Sequence, residues 1–164
     1  MSDIKLPEKL WNTDILLQAL SIEDADEFYN CFKKFEVVYR YHDTAYERVA
    51  SPQQFTLRMM RAHNNIWTIR LADEPQMIIG SCALHGYSED ISRVDIGGAV
   101  LPEYRDHLFS ALNLTMKSVQ EKLRIKIVVG KTTIKNQMAI EMAEKLGFLF
   151  IYSGKSEAIV RWVV

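Results

Sequence analysis

The stretch DIGGAVLPEYRDHLFSAL, residues 95–112, decides the fold. An apolar run ends at Val100, and a turn with one proline and several charged residues follows. Leu108, Phe109, Leu112, Met116, Val119 and Leu123 then recur at the spacing of one helical face, which predicts a helix to about Lys122. The next apolar run, RIKIVVG, reads as a strand. A strand, crossover helix and strand joined this way return parallel and right-handed. In such a sheet, ligands gather beyond the carboxyl ends of the strands. The turn at Pro102–His107 stands there, and the helix N-terminus behind it offers unpaired N–H groups and about half a positive charge.

Upstream, IWTIRLA, QMIIGSCALHGY and RVDIGGAVL are β-rich runs separated by short polar turns, which predicts a three-stranded antiparallel meander. DILLQAL reads as a first strand. SIEDADEFYNCFKKF follows as a helix capped by Ser21, with Ile22, Ala25, Phe28, Phe32 and Phe35 as its buried stripe. In SPQQFTLRMMRAH, Ser at the N-cap, Pro next and Gln at the third position predict a helix from Pro52 to about Ala62. Downstream, Asn136 is placed to cap a helix through Met138, Ile140, Met142 and Leu146, and Gly147 to end it in the left-handed conformation. FLFIY and EAIVRWVV, joined by SGK, close the chain as two strands. The order is β-α-α-β-β-β-α-β-α-β-β: a single α/β (α+β) domain over residues 1–164, with a mixed central sheet of about seven strands and four helices.

Composition narrows the functional classes. Twenty Lys and Arg against 21 Asp and Glu leave a formal net charge of -1, so no overall charge draws the chain to nucleic acid or an anionic membrane. Cys31 and Cys82 stand alone, without the spacing of a disulfide framework or a zinc site, and read as small buried thiols. His63 and His85 give no metal spacing either. The opening MSDIKLPEKLWNTD is charged from residue 3, and no stretch is long enough to span a bilayer. A cytoplasmic location is the expectation.

Two segments, DIGGAVLPEYRDHLFSAL and NQMAIEMAEKLGF, together with the element order, resemble the GNAT N-acetyltransferase superfamily. In the second, Asn136, Lys145, Gly147 and Phe148 stand at the family's spacing. The resemblance implies acetyl-CoA as co-substrate and a small-molecule or peptide amine as acceptor, with a homodimer compatible. It places the coenzyme along Gly98, Ala99 and Val100, at the turn Arg105, His107, Leu108, Phe109 and Ser110, and at Asn136. It places a base that deprotonates the amine near Asp95, and leaves solvent, Tyr104 or another tyrosine to protonate the departing thiolate, unless that thiolate needs no dedicated acid. The family's final-helix acid corresponds to Ala143 or Ala139, neither of which can donate a proton.

The turn departs from the family pattern R/Q-x-x-G-x-G/A, because Arg105 is followed by Asp106, His107, Leu108, Phe109 and Ser110. Glycines in a phosphate cradle allow positive φ and close backbone approach, which Leu and Ser restrict. Asp106 can cap the helix amides itself, with its own charge where a pyrophosphate would lie. The turn is therefore expected to hold a pyrophosphate weakly or not at all. Lys131 and Lys135 are within reach of the same anion or belong to a solvated loop. Gly97 and Gly98 mark either a bulge or a strand splayed for a ligand. Tyr39, Tyr41 and His42 suit an acceptor-pocket wall or the edge of the core. Two functions fit: an N-acetyltransferase working from a cleft between the strands that end at Val100 and Val129, or a binding module of the same fold that has given up the coenzyme.

Overall fold

A computed structural model describes residues 5–39 and 51–163. Its strands are β1 (Lys9–Trp11), β2 (Ile15–Ala19), β3 (Asn65–Leu71), β4 (Ile78–Ser88), β5 (Arg93–Val100), β6 (Ile127–Thr133), β7 (Leu149–Ser153) and β8 (Glu157–Val163). The helices among the described residues are α1 (Ala25–Tyr39), α2 (Pro52–Ala62), α3 (Asp106–Lys122) and α4 (Gln137–Lys145). One mixed sheet runs in the order β1-β2-β3-β4-β5-β6-β8-β7. Every neighbouring pair is antiparallel except β5–β6.

The sheet has eight strands where about seven are expected. The addition is β1, whose three residues are too few to show an alternation in sequence; β2 supplies its pairing, with Leu10 opposite Leu17. The Trp67 indole N–H, donating to the Pro7 carbonyl at 3.0 Å, ties down the segment before it.

Each face of the sheet is apolar and covered by two helices. On one face Ala111, Met116 and Val119 of α3 pack over Leu17, Ile69, Leu84, Val94 and Val128. On the other, Phe28 of α1 and Phe55 of α2 meet with ring centroids 5.6 Å apart above Ile66, Ile78 and Ala83. Ile22 leaves the expected stripe, at 43% exposed, because it sits in a 3-10 turn (Ile22–Asp24) ahead of α1, where the helical period has not begun. The side chains of Phe35 and Tyr39, and the whole of Tyr41 and His42, lie outside the described residues.

The caps follow the sequence signals. The Ser51 hydroxyl accepts from Gln54 N–H at 3.2 Å with Pro52 opening α2. Gly147 ends α4 with φ of 90°.

Gly80 is the tightest point of the β4–β5 pairing. A Cβ there would press on the Ala99 carbonyl oxygen and lie 2.8 Å from Val100 Cα, both backbone atoms that cannot swing aside. Gly80→Ala is expected to cost about 1–3 kcal/mol, as overpacking does. Gly97→Ala, whose Cβ would meet nothing within 4 Å, is expected to stay within about 0.5 kcal/mol of the parent. Urea unfolding of both variants checks the contrast, and equal losses would contradict it.

Candidate functional site

The parallel ladder between β5 and β6 runs from Arg93 opposite Ile127 to Ile96 opposite Gly130, and stops. Beyond it β5 continues to Val100 on β4 alone, and β6 continues to Thr133 on β8 alone. The two strands part, and a cleft opens between Gly97–Val100 on one side and Gly130–Thr132 on the other. The N-terminal part of α3 (Arg105, Leu108, Leu112) and α4 with its cap (Asn136, Ala139, Met142, Ala143) complete its walls. Along Gly97–Val100, backbone groups turned toward β6 have lost their ladder partners, and such groups demand a replacement when covered.

The glycines act here by size. At Gly98 a Cβ would meet Leu108 Cδ1 at 3.2 Å, the Ser81 carbonyl oxygen at 3.2 Å and Cys82 Cβ at 3.3 Å, so its absence lets α3 settle over β5. No bulge occurs at Gly97 or Gly98, contrary to one of the two sequence readings. Pairing with β4 is continuous there, and the irregularities of β4 fall opposite Ile69/Arg70 and between His85 and Ser88. Gly130, at the end of the ladder, leaves room for Val160 Cγ2, 3.1 Å from where its Cβ would be.

The turn also differs from expectation. Pro102–Tyr104 form a 3-10 turn, Arg105 follows with φ -51° and ψ -40°, and α3 starts at Asp106. Ser92 is the sole non-glycine residue with positive φ among those described, so this turn needs no glycine for its backbone. Asp106 does not act as the N-cap. Because one helical turn feeds directly into the next, Arg105 holds that position without a side-chain cap bond, and Asp106 is exposed and outside the cleft lining.

Asn136 does cap its helix. Its Oδ1 accepts from Ala139 N–H at 3.2 Å, while Nδ2 donates to Thr132 Oγ1 at 3.1 Å, which pins the start of α4 to the end of β6. The charged residues that line the cleft, Arg105 and Lys131, are both cationic, and no carboxylate lines it among the described residues. The rest of the surface is largely apolar.

Six of the nine residues that the resemblance assigned to the coenzyme thus come together, Gly98, Ala99, Val100, Arg105, Leu108 and Asn136, and Gly97 and Lys131 line the cleft with them. His107, Phe109 and Ser110 lie on α3 beside the cleft without lining it. Tyr104 is half-buried between the two cores, its ring centroid 6.3 Å from that of His107, and does not line the cleft. Asp95 sits one residue before the ladder ends, on the face opposite Ile96. Arg93 clamps it, Nε to Oδ1 at 2.9 Å and Nη2 to Oδ2 at 3.3 Å. Sequence reasoning missed Leu112 and Met142 as cleft residues: a helix that lines a cleft keeps the same apolar period as one that covers a core, so nothing marks the difference.

Burial pushes the Cys82 thiol up to about 12, although its contact with Thr115 Oγ1 at 2.9 Å works in the other direction. It is no nucleophile at neutral pH. Burial also lowers the pKa of His85 from the ordinary imidazole value. No group of three or more His, Cys, Asp or Glu among the described residues could hold a metal ion, and no described helix is long and apolar enough to cross a membrane.

The sequence pattern of the acetyltransferase (GNAT) domain matches residues 14–149, and the chain belongs to that family. Among solved structures, the fold is similar to an acetyltransferase of the GNAT family from Bacillus anthracis, at 16% identity and TM-score 0.77, covering 94% of this chain and 98% of that one. The ribosomal-protein α-N-acetyltransferase RimL, solved with coenzyme A, superimposes with TM-score 0.82 at 13% identity, covering 96% and 98%. The microcin self-immunity acetyltransferase MccE, solved with acetyl-CoA and AMP, gives 0.76 at 14% identity, covering 93% and 94%. No curated protein sequence matches the chain.

Removing the amide of Asn136 takes away a helix cap and the tie to β6 together. Asn136→Ala is expected to lose about 0.5–2 kcal/mol of stability. Asn136→Asp, which keeps the cap acceptor, should recover most of it; equal losses in thermal unfolding would show that the cap carries none of the effect.

Proposed function

We propose that the protein is an acetyl-CoA-dependent N-acetyltransferase acting on a primary amine, carried by a small molecule or a peptide. The observation that carries this reading is the cleft itself: an unpaired strand edge, an apolar lining, and two cations with no carboxylate. These features suit a long ligand that has amides along an apolar arm and phosphates at one end. Gly98–Val100 would bind the arm by strand-like backbone bonds, Asn136 would border it, and Arg105 and Lys131 would face the phosphates. Bound there, acetyl-CoA supplies a thioester whose acetyl carbon is open to attack by an amine.

The chain's own part is then mainly positioning, which by itself can account for several kcal/mol of a barrier. Asp95, held by Arg93, offers a fixed carboxylate close to the point where the strands part. Ala139 and Ala143, the α4 residues that line the cleft, carry no proton to give, and Tyr104 lies outside the lining. Among the described residues no tyrosine lines the cleft, and in this reading solvent protonates the leaving thiolate.

A second reading, a binding module without coenzyme, is favoured by Leu108, whose side chain lies over Gly98 in the cleft wall. The obstacle to coenzyme binding is accordingly Leu108 more than the exposed Asp106.

Calorimetry and thermal unfolding with acetyl-CoA separate the two readings. A ligand that binds only the native state stabilises it by about 2.7 kcal/mol at roughly 100 times its Kd. The parent is expected to bind weakly, with a small rise in Tm. Leu108→Ala should raise it further than Asp106→Gly does, and Arg105→Ala should weaken binding by about 1.5–3 kcal/mol, the range for a hydrogen bond to a charged group. No binding by the parent or by either relieved variant would leave the module as the function.

A further inference from the structure

His85 and Asp95 are register partners across β4 and β5, on the sheet face that carries α1 and α2. His85 Nε2 stands 3.9 Å from Asp95 Oδ2, too long for a hydrogen bond. It is a span that one donor nitrogen can bridge, at about 2.9 Å from each atom. The clamp from Arg93 fixes the carboxylate. His85 Nδ1 is buried without a hydrogen-bond partner among the described residues. Asn64, which bonds the backbone of Leu84 and Tyr87 on either side of His85, likewise has a buried Nδ2 without one.

The next β5 residue on this face is Gly97. Among the described residues an added Cβ there would meet nothing within 4 Å, and Gly97 also lines the cleft. The His85–Asp95 pair is thus next to a gap in the sheet that reaches the cleft from the opposite face.

We propose that the acceptor's amino nitrogen docks between Asp95 Oδ2 and His85 Nε2, and that His85 takes the proton the amine must lose before it attacks. This rests on the acetyltransferase reading above. The ammonium form gives one proton to His85 Nε2, which frees the nitrogen lone pair. A nitrogen–carbon bond to the acetyl group forms as the carbon–sulfur bond breaks, and the electron pair of that bond leaves with sulfur. The nitrogen's surplus proton ends on the thiolate through solvent, and His85 returns its own proton to solvent.

The charge environment suits this role. Burial lowers the His85 pKa most; the Asp95 carboxylate raises it, and His63 at the end of α2, Lys131 on β6 and Arg93 on β5 lower it further. The His63 ring stands edge-on, 5.8 Å away between centroids. The imidazole is therefore neutral at pH 7 and able to accept a proton. Since the folded pKa lies below the unfolded one, this group's contribution to stability is complete above the ordinary imidazole value and is lost as pH falls through the lowered one. Activity should fall over the same acidic window.

The test follows the imidazole nitrogen resonances of His85 by NMR while n-butylamine, spermidine or alanyl-alaninamide is added, and assays acetyl transfer from acetyl-CoA to the same amines. At least one amine is expected to shift the His85 resonances in the parent and not in Asp95→Asn. His85→Gln should lower kcat/KM about 100-fold or more, the scale of a lost general base, and remove the acidic limb of the pH profile while leaving acetyl-CoA affinity unchanged. Unmoved His85 resonances with all three amines would overturn the proposal, and so would His85→Gln with the parent's rate and pH profile. Shifted resonances with no transfer to any amine would uphold the docking site and count against the acetyltransferase reading.

Discussion

The molecule is organised by one interruption in one ladder. Past Ile96, β5 keeps its pairing with β4 and parts from β6, and at Gly80 the β4 and β5 backbones close to a distance that no side chain would allow. β6 is held just as firmly by β8, which inserts between β6 and β7 and pairs with β6 along all seven residues from Ile127 to Thr133. The β5–β6 pairing ends at Ile96 opposite Gly130, while each strand keeps the neighbour on its other edge. The cleft is what remains between two strands that have stopped sharing hydrogen bonds, and its backbone edge is a direct consequence.

The covering helices turn that gap into a site by facing it with chosen chemistry. α3 and α4 lie on one face and present Leu108, Leu112, Met142 and Leu146 to the cleft, while Arg105 and Lys131 provide its charge. On the other face α1 and α2 cover the meander, and the polar residues of β5 on that face, Arg93 and Asp95, come at its beginning where the ladder with β6 is still intact. Asp95 is neutralised by Arg93 at 2.9 Å, and the cleft keeps its positive charge uncompensated.

Most of the architecture is legible in the sequence because it rests on local signals. The Ser51-Pro52 start of α2, the Asn136 cap and the Gly147 stop each use a side chain or backbone conformation that few residue types supply, and each appears where expected. β1 is not legible: three residues carry no period, and the strand exists only because β2 presents an edge. The site is half legible for a related reason. Gly98 and Asn136 stand out by type, whereas Leu112 and Met142 read as core, since the pattern records that a face is apolar and not whether a neighbour fills it. The end of the β5–β6 ladder is set by residues more than thirty positions apart, and no local window contains it.

The turn between β5 and α3 shows what a missing glycine does and does not mean. Glycine is required where φ must be positive or where another backbone must come close. Leu101 and Arg105 have φ of -55° and -51°, no residue of the turn has positive φ, and the chain enters the helix through a 3-10 turn, so the first requirement is absent and the Gly-free sequence is unstrained. The second requirement bears on whatever enters the cleft. Leu108 projects toward Gly98, and the small residue stands on the strand instead of on the turn. Close approach is thereby given to the packing of α3 on β5, which firms the wall of the cleft and narrows it in the same step. A turn of this kind can hold an anion through Arg105 and the helix N-terminus, but it cannot wrap one closely with main-chain amides. The strand edge and the apolar walls make up most of the surface that the cleft offers a ligand, and Arg105 and Lys131 its charge.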